Sequence, residues 1–142
     1  MKIRKATNED FEEVYSLLKE LWPRRRLNKI KLSGVYKKQL KEGKIFFLCE
    51  IKNKIVGMIS LNSKLDIENN GKVGLIEEFI VLEDFRGKGL GKSLMNIALK
   101  EARKTGCVEV QLYSSFKRKK THRFYKNLGF KNTAYLFWKE IK

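Results

Sequence analysis

Helical and strand-like segments alternate along this chain, predicting a mixed α/β or α+β fold around one sheet. Two observations carry that reading. Apolar residues recur at helical spacing in several stretches, and between them lie β-rich runs bounded by turn residues. The length agrees: 142 residues is one domain's worth of protein. A chain of that size buries roughly 68–70% of its unfolded surface, enough for a core without staples. With no repeat, linker or shift in composition, one domain over residues 1–142 is expected.

Each element follows from local pattern. Lys2 to Ala6 reads as a short first strand. Thr7 and Asp10 form a capping-box pattern with Asp in the place of Glu. Phe11, Val14, Tyr15, Leu17, Leu18 and Leu21 then mark one helical face, which Pro23 stops. A weaker helix covers Lys29 to Lys41 and ends at Gly43. Ile45 to Ile51 and Ile55 to Leu61 are β-rich runs joined by Lys52-Asn53-Lys54, which predicts a hairpin. Asp66 to Lys72 is polar, with Asn69-Asn70-Gly71 as its turn signal. Val73 to Leu82 is a further sheet run, interrupted by Glu77 and Glu78. After a glycine-rich turn, Leu90, Leu94, Ile97, Ala98 and Ala102 line a helix ending near Gly106. Val108 to Tyr113 is a strand, Thr121 to Leu128 a short helix closed by Gly129, and Ala134 to Ile141 a final strand.

Composition narrows the class. The 32 Lys and Arg against 16 Asp and Glu leave a net charge of +16, a field open to any polyanion or to none. Cys49, Cys107 and a single His lack the number and spacing of a disulfide framework or zinc site, so no metal is expected. No apolar run approaches the roughly 18 residues of a membrane span, and the start of the chain lacks a signal-peptide pattern, so a cytoplasmic protein is expected.

The informative stretch runs from Ile76 to Ser93: a strand with two glutamates, a tight turn (Arg86-Gly87-Lys88-Gly89-Leu90-Gly91-Lys92), then a helix. Glycines let a backbone approach a ligand, and unpaired amides at a helix start attract phosphate. Arg86, Lys88 and Lys92 would add charge-assisted contacts. A P-loop requires one more residue between its glycines than Gly87 and Gly91 enclose, and a dinucleotide fingerprint requires different glycine spacing near the start of a βαβ unit.

Arg86-x-x-Gly89-x-Gly91 after an apolar strand resembles the acetyl-CoA signature of the GNAT N-acetyltransferase superfamily. Downstream, His122-Arg123-Phe124-Tyr125-Lys126-Asn127-Leu128-Gly129-Phe130 resembles that family's Phe-Tyr-x-x-x-Gly-Phe segment. Order and spacing match from Val81 to Phe130, and the layout agrees over most of the chain. The resemblance implies a mixed, mostly antiparallel central sheet flanked by about four helices. It also implies direct transfer of acetyl from acetyl-CoA to an amine in a ternary complex. Cofactor contacts are then expected from Phe79, Val81, Arg86, Gly87, Lys88, Gly89, Leu90, Gly91, Lys92 and Tyr125. Where some members carry an Asn before the last helix, Lys117-Arg118-Lys119-Lys120 stands here.

The chemistry sets its own demands. A lysine-like amine has a pKa of ~10.4, so freeing its lone pair at neutral pH costs roughly 4.6 kcal/mol and calls for a base. Glu77 and Glu78 are the candidates. Side chains alternate along a strand, so one of the two is expected to face the substrate, with Glu78 favoured. By resemblance, the N–H of Val81 or of a neighbour would stabilise the oxyanion, and Tyr125 would protonate or hydrogen-bond the leaving sulfur. Two rivals stand beside this reading: a basic nucleic-acid-binding module, disfavoured because no recognition motif accompanies the charge, and an inactive CoA-binding sensor. A basic acceptor groove would suit an anionic or neutral amine and repel polyamines or aminoglycosides. Whether the acceptor is a small molecule or a protein amine stays open, as does homodimerisation.

Overall fold

Thr7 starts the first helical segment as its spacing to Asp10 predicts. Its Oγ1 accepts from Glu9 N–H at 3.3 Å, while its own N–H donates to Asp10 Oδ2 at 2.7 Å. The computed structural model describes residues 1–142, which pack as two compact units, residues 1–111 and 112–142.

In the first unit, β1 (Lys2–Lys5) leads through that cap into α1 (Phe11–Leu21), which buries Phe11, Val14, Leu17, Leu18 and Leu21. The helix α2 (Lys29–Lys41) opens on Asn28, whose side chain accepts from Lys31 N–H at 3.0 Å. It closes in a Schellman motif. Gly43 lies at φ +103°, its N–H bonds Leu40 C=O at 3.1 Å, and Lys44 N–H reaches back to Gln39 C=O at 2.9 Å.

The sheet follows: β2 (Ile45–Ile51), β3 (Lys54–Asp66), β4 (Gly71–Ile76), β5 (Phe79–Val81) and, after α3 (Leu90–Lys104), β6 (Cys107–Leu112). Strand order is β1-β2-β3-β4-β6, with β5 also on β3. Lys52 and Asn53, at φ 49° and 64°, make the two-residue hairpin turn between β2 and β3. Beyond Leu61, where the apolar pattern stops, β3 runs on to Asp66 and pairs antiparallel with β4, from Asn62↔Leu75 to Asp66↔Gly71. Burial does not dictate this polar half; ladder pairing carries it.

One face of the sheet meets α1 and α2 in a core of Phe11, Val14, Leu18, Tyr36, Phe46, Leu48, Met58 and Ile80. Against β2, β3 and β5 packs α3, burying Leu90, Leu94, Met95, Ala98 and Ala102. No helix is long and apolar enough to cross a membrane.

The second unit holds α4 (Lys119–Asn127), followed by Gly129 at φ +92°. The expected strand over Ala134 to Ile141 does not form: residues 130–142 carry no regular element, with Phe137 and Trp138 at 90% and 82% exposure. Aromatic and β-branched residues favour a strand only where a neighbouring strand or packed face receives them.

Candidate active site

The two glutamates sit at a β-bulge. Between the register pairs Asn62↔Leu75 and Ile59↔Phe79, two residues of β3 (Ser60 and Leu61) oppose three (Ile76, Glu77 and Glu78). The fully buried Ser60 stabilises the irregularity. Its Oγ accepts from both Glu77 N–H at 3.2 Å and Glu78 N–H at 2.9 Å, and its N–H donates to Glu78 C=O at 2.8 Å.

The bulge breaks strand alternation, and both carboxylates reach one cation. Lys44 Nζ lies 3.1 Å from Glu77 Oε1 and 2.7 Å from Glu78 Oε1. The expectation that neighbouring glutamates point to opposite faces therefore fails at this place, because the extra residue resets the period. The Lys44 side chain is 2% exposed, Glu78 13% and Glu77 39%. Phe46 adds its ring face 4.9 Å from the ammonium. Neither Lys44 nor Ser60 stood out as a site residue in the sequence. The signals were a lysine entering an apolar strand on the same face as Phe46 and Leu48, and a lone hydroxyl within an apolar run.

The glycine turn follows on the same chain. Arg86 Nε donates to Val81 C=O at 2.8 Å, clasping the loop onto the end of β5. Gly87 and Gly89 adopt φ +76° and +83°, and an added Cβ at either would meet nothing within 4 Å. The first main-chain bond of α3 runs from Ser93 N–H to Gly89 C=O, and no amide from Gly87 to Lys92 donates to a main-chain carbonyl. Unpaired donors, the positive end of the helix dipole and open space above two glycines make a cradle that fits a diphosphate. Lys88 Nζ lies over the Phe85 ring at 5.5 Å, at the lip of this turn.

On β5 the ladder alternates. Glu78 C=O accepts from Ser60, and Leu82 N–H donates to Val56 C=O. In an antiparallel pair this turns the main-chain groups of Phe79 and Val81 away from β3, toward the strand's other edge.

A cleft of about 1100 Å³ opens between the end of β1 and the α2–β2 junction. Its lining includes Lys5, Lys37, Lys38, Lys41 and Lys44, with Glu42 as its one carboxylate. Glu101 pairs with Lys5 Nζ at 2.9 Å, and that hydrogen bond holds the Glu101 carboxyl below its usual range.

Tyr125 lies on α4 in the second unit. Its ring meets Phe124 and Phe130 edge-on, with centroids 5.7 and 5.8 Å away. Burial pushes its hydroxyl pKa up, against the opposing charge of Arg118. His122 Nε2 lies 2.7 Å from Ser115 C=O, so this histidine is engaged in holding its own loop.

The six-stranded sheet with its four helices is the fold of solved acetyltransferases. The acetyltransferase (GNAT) family model matches residues 6–130, and the chain belongs to that family. It is an N-acetyltransferase, and the family's enzymes use acetyl-CoA. Aminoalkylphosphonate N-acetyltransferase of Salmonella typhimurium is 31% identical over 141 residues, covering 99% of this chain and 91% of that protein. Glucosamine 6-phosphate N-acetyltransferase of Trypanosoma brucei brucei is 30% identical over 134 residues, 92% of this chain and 89% of that one. Among solved structures, a Trypanosoma brucei acetyltransferase superposes with a TM-score of 0.83 at 27% identity, over 99% of each chain.

Proposed function

We propose that this protein acetylates the primary amine of a small molecule that also carries a phosphate or phosphonate group. The observation that carries this reading is the lysine-lined cleft, one of whose wall residues, Lys44, pairs on its buried side with Glu77 and Glu78. Charge-assisted donors around a cleft favour an anionic acceptor and reject a cationic one. Two relatives named for a phosphonate and a sugar phosphate support the same class.

Acetyl-CoA supplies an acetyl group activated as a thioester, with a leaving thiol whose intrinsic pKa is near 8.5. The chain's own residues do the rest. The amides from Gly87 to Lys92 receive the diphosphate, with Arg86, Lys88 and Lys92 lending charge. Phe79 and Val81 lie on the β5 edge along which the pantetheine arm would pair like an added strand, Val81 through its N–H, since its C=O is held by Arg86. A glutamate of the bulge takes the proton that the acceptor ammonium must lose. Tyr125 is the candidate proton donor to the departing sulfur.

A panel of amines tests the reading, with thiol release followed optically. An aminoalkylphosphonate and glucosamine 6-phosphate should each exceed their unphosphorylated counterparts by at least about 10-fold in kcat/KM, the equivalent of one charge-assisted contact. Equal turnover with and without the phosphorus group, or preference for a polyamine, would remove the anionic class.

A further inference from the structure

Lys44 is the most deeply buried charge in the first unit, and nothing in the acetyl-transfer chemistry requires a cation there. Its placement is nonetheless over-determined. The Schellman closure of α2 pins its main chain through the 2.9 Å bond to Gln39, and Phe46 covers its ammonium. Burying an ammonium is costly unless opposite charge meets it, so both bulge carboxylates are drawn to one point. They are not held alike. Glu78 is nearer and more buried; its Oε1 is sealed from solvent without a directed hydrogen bond, so the Lys44 charge at 2.7 Å compensates it. Glu77 stands at 3.1 Å and remains 39% exposed.

We propose that Lys44 sorts the two acids, locking Glu78 as its buried counter-ion and leaving Glu77 as the base that receives the acceptor's proton. Lys44 and Glu78 are positioning residues; Glu77 alone touches the substrate. An N–H bond of the acceptor ammonium breaks, an O–H bond forms on Glu77, and the electron pair stays on nitrogen as the nucleophile. The lock also restrains Glu77, whose side chain would otherwise sample several rotamers at the exposed bulge. This assignment rests on the proposed base chemistry above and names which acid performs it.

Four single variants of the full chain and two double variants test it, with an aminoalkylphosphonate as the acceptor probe. E77Q should lower kcat by about 10²-fold while leaving the thermal midpoint and acetyl-CoA affinity near wild type. K44M and E78Q should each lower the thermal midpoint and reduce kcat roughly 10-fold, the scale of a misplaced rather than a missing base. Acetyl-CoA affinity should hold in both. K44R should recover most of the kcat lost in K44M. In thermal denaturation, K44M and E78Q should be strongly non-additive, with K44M/E78Q at least as stable as K44M, whereas K44M and E77Q, joined by the longer and more exposed contact, should couple less.

A larger kcat loss in E78Q than in E77Q, or stronger coupling of Lys44 to Glu77 than to Glu78, would overturn the sorting while leaving a glutamate base in place. Unchanged kcat in both glutamine variants would overturn the base chemistry itself. The denaturation cycle reads the Lys44–Glu78 lock without any turnover, so additivity there would overturn the lock even if the acceptor belongs to another class.

Discussion

Asp10 and Glu78 are both largely buried carboxylates beside a cation, yet their surroundings differ in how completely they are satisfied. Asp10 receives Arg4 through two guanidinium nitrogens at 2.8 and 2.9 Å, and Thr7 through its N–H at 2.7 Å and its hydroxyl at 3.3 Å. That fills the roughly four acceptor sites a carboxylate offers, with the planar fork of an arginine matched to it. Glu78 shares one ammonium with Glu77, and a lysine is a point charge without that fork. A saturated carboxylate can only stabilise. A pair of acids served by a single cation keeps an oxygen able to take a proton, and the more exposed of the pair is the one a substrate can reach.

Breaking the saturated cluster should give the largest stability effect and no catalytic one. The Arg4 hydrogen bond holds the Asp10 carboxyl at about 2, below its ordinary 3.8. A depressed folded-state value contributes stability above the unfolded value and loses it as pH falls through the folded one. Asp10 therefore stabilises fully above about pH 4 and ceases to near pH 2. Asp10→Asn should lower stability at pH 7 by on the order of 2 kcal/mol and the thermal midpoint by roughly 5–10 °C, with kcat unchanged. Its acid limb between pH 4 and 2 should be shallower than wild type but not flat, since Glu101 beside Lys5 titrates in both proteins. A kcat change comparable to the stability loss would erase the division between the two clusters.

Ser60 serves the bulge that carries both acids. Removing its hydroxyl leaves the Glu77 and Glu78 amides without their acceptor in a fully buried place. Ser60→Ala should cost about 1.5 kcal/mol in chemical denaturation, within the range for stranded buried donors. Unlike the Asp10 variant, it should also reduce kcat several-fold, since the bulge brings both acids to Lys44. Lost stability with full kcat would mean that the acids keep their places without the serine.

The contrast also explains what the sequence disclosed. Asp10, Thr7 and the helix they start lie within a few residues of each other, so spacing alone revealed the cap. The break in the sheet was legible as Glu77-Glu78 within an apolar run, and the glycine turn as a strand-to-helix junction rich in cations. The bulge was not legible, because it is a mismatch between β3 and its partner and exists only once Ser60 and Leu61 are set against Ile76, Glu77 and Glu78. Alternation along one strand then gave the wrong answer for the two acids. Lys44 escaped notice for the same reason, its partners lying more than thirty residues downstream. Ala134 to Ile141 errs in the opposite direction, with strand-forming residues that no ladder receives.

The smallest effect comes from the tyrosine that roofs the saturated cluster. Tyr36 is 3% exposed, its ring packs on Phe11 and Phe46, and its hydroxyl donates to Thr7 C=O at 2.6 Å. Tyr36→Phe keeps the ring contacts and removes that bond. Thr7 C=O still accepts from Asp10 N–H at 3.1 Å, so no acceptor is stranded and the cost should be about 1 kcal/mol at pH 7. The pH dependence gives a sharper signature. Burial, with the Asp10 charge adding to it, pushes the Tyr36 hydroxyl up to about 12 from its ordinary 10.0. A raised folded-state value means stability is intact below the unfolded value and lost as pH rises through the folded one. Wild type should therefore lose stability between pH 10 and 12 as its unfolded chain ionises at this position, and Tyr36→Phe should lose less. The wild-type advantage should hold to about pH 10, vanish near pH 11 and reverse by pH 12, so that the two stability curves cross; a constant gap would show that the hydroxyl is not held in the neutral form by its surroundings.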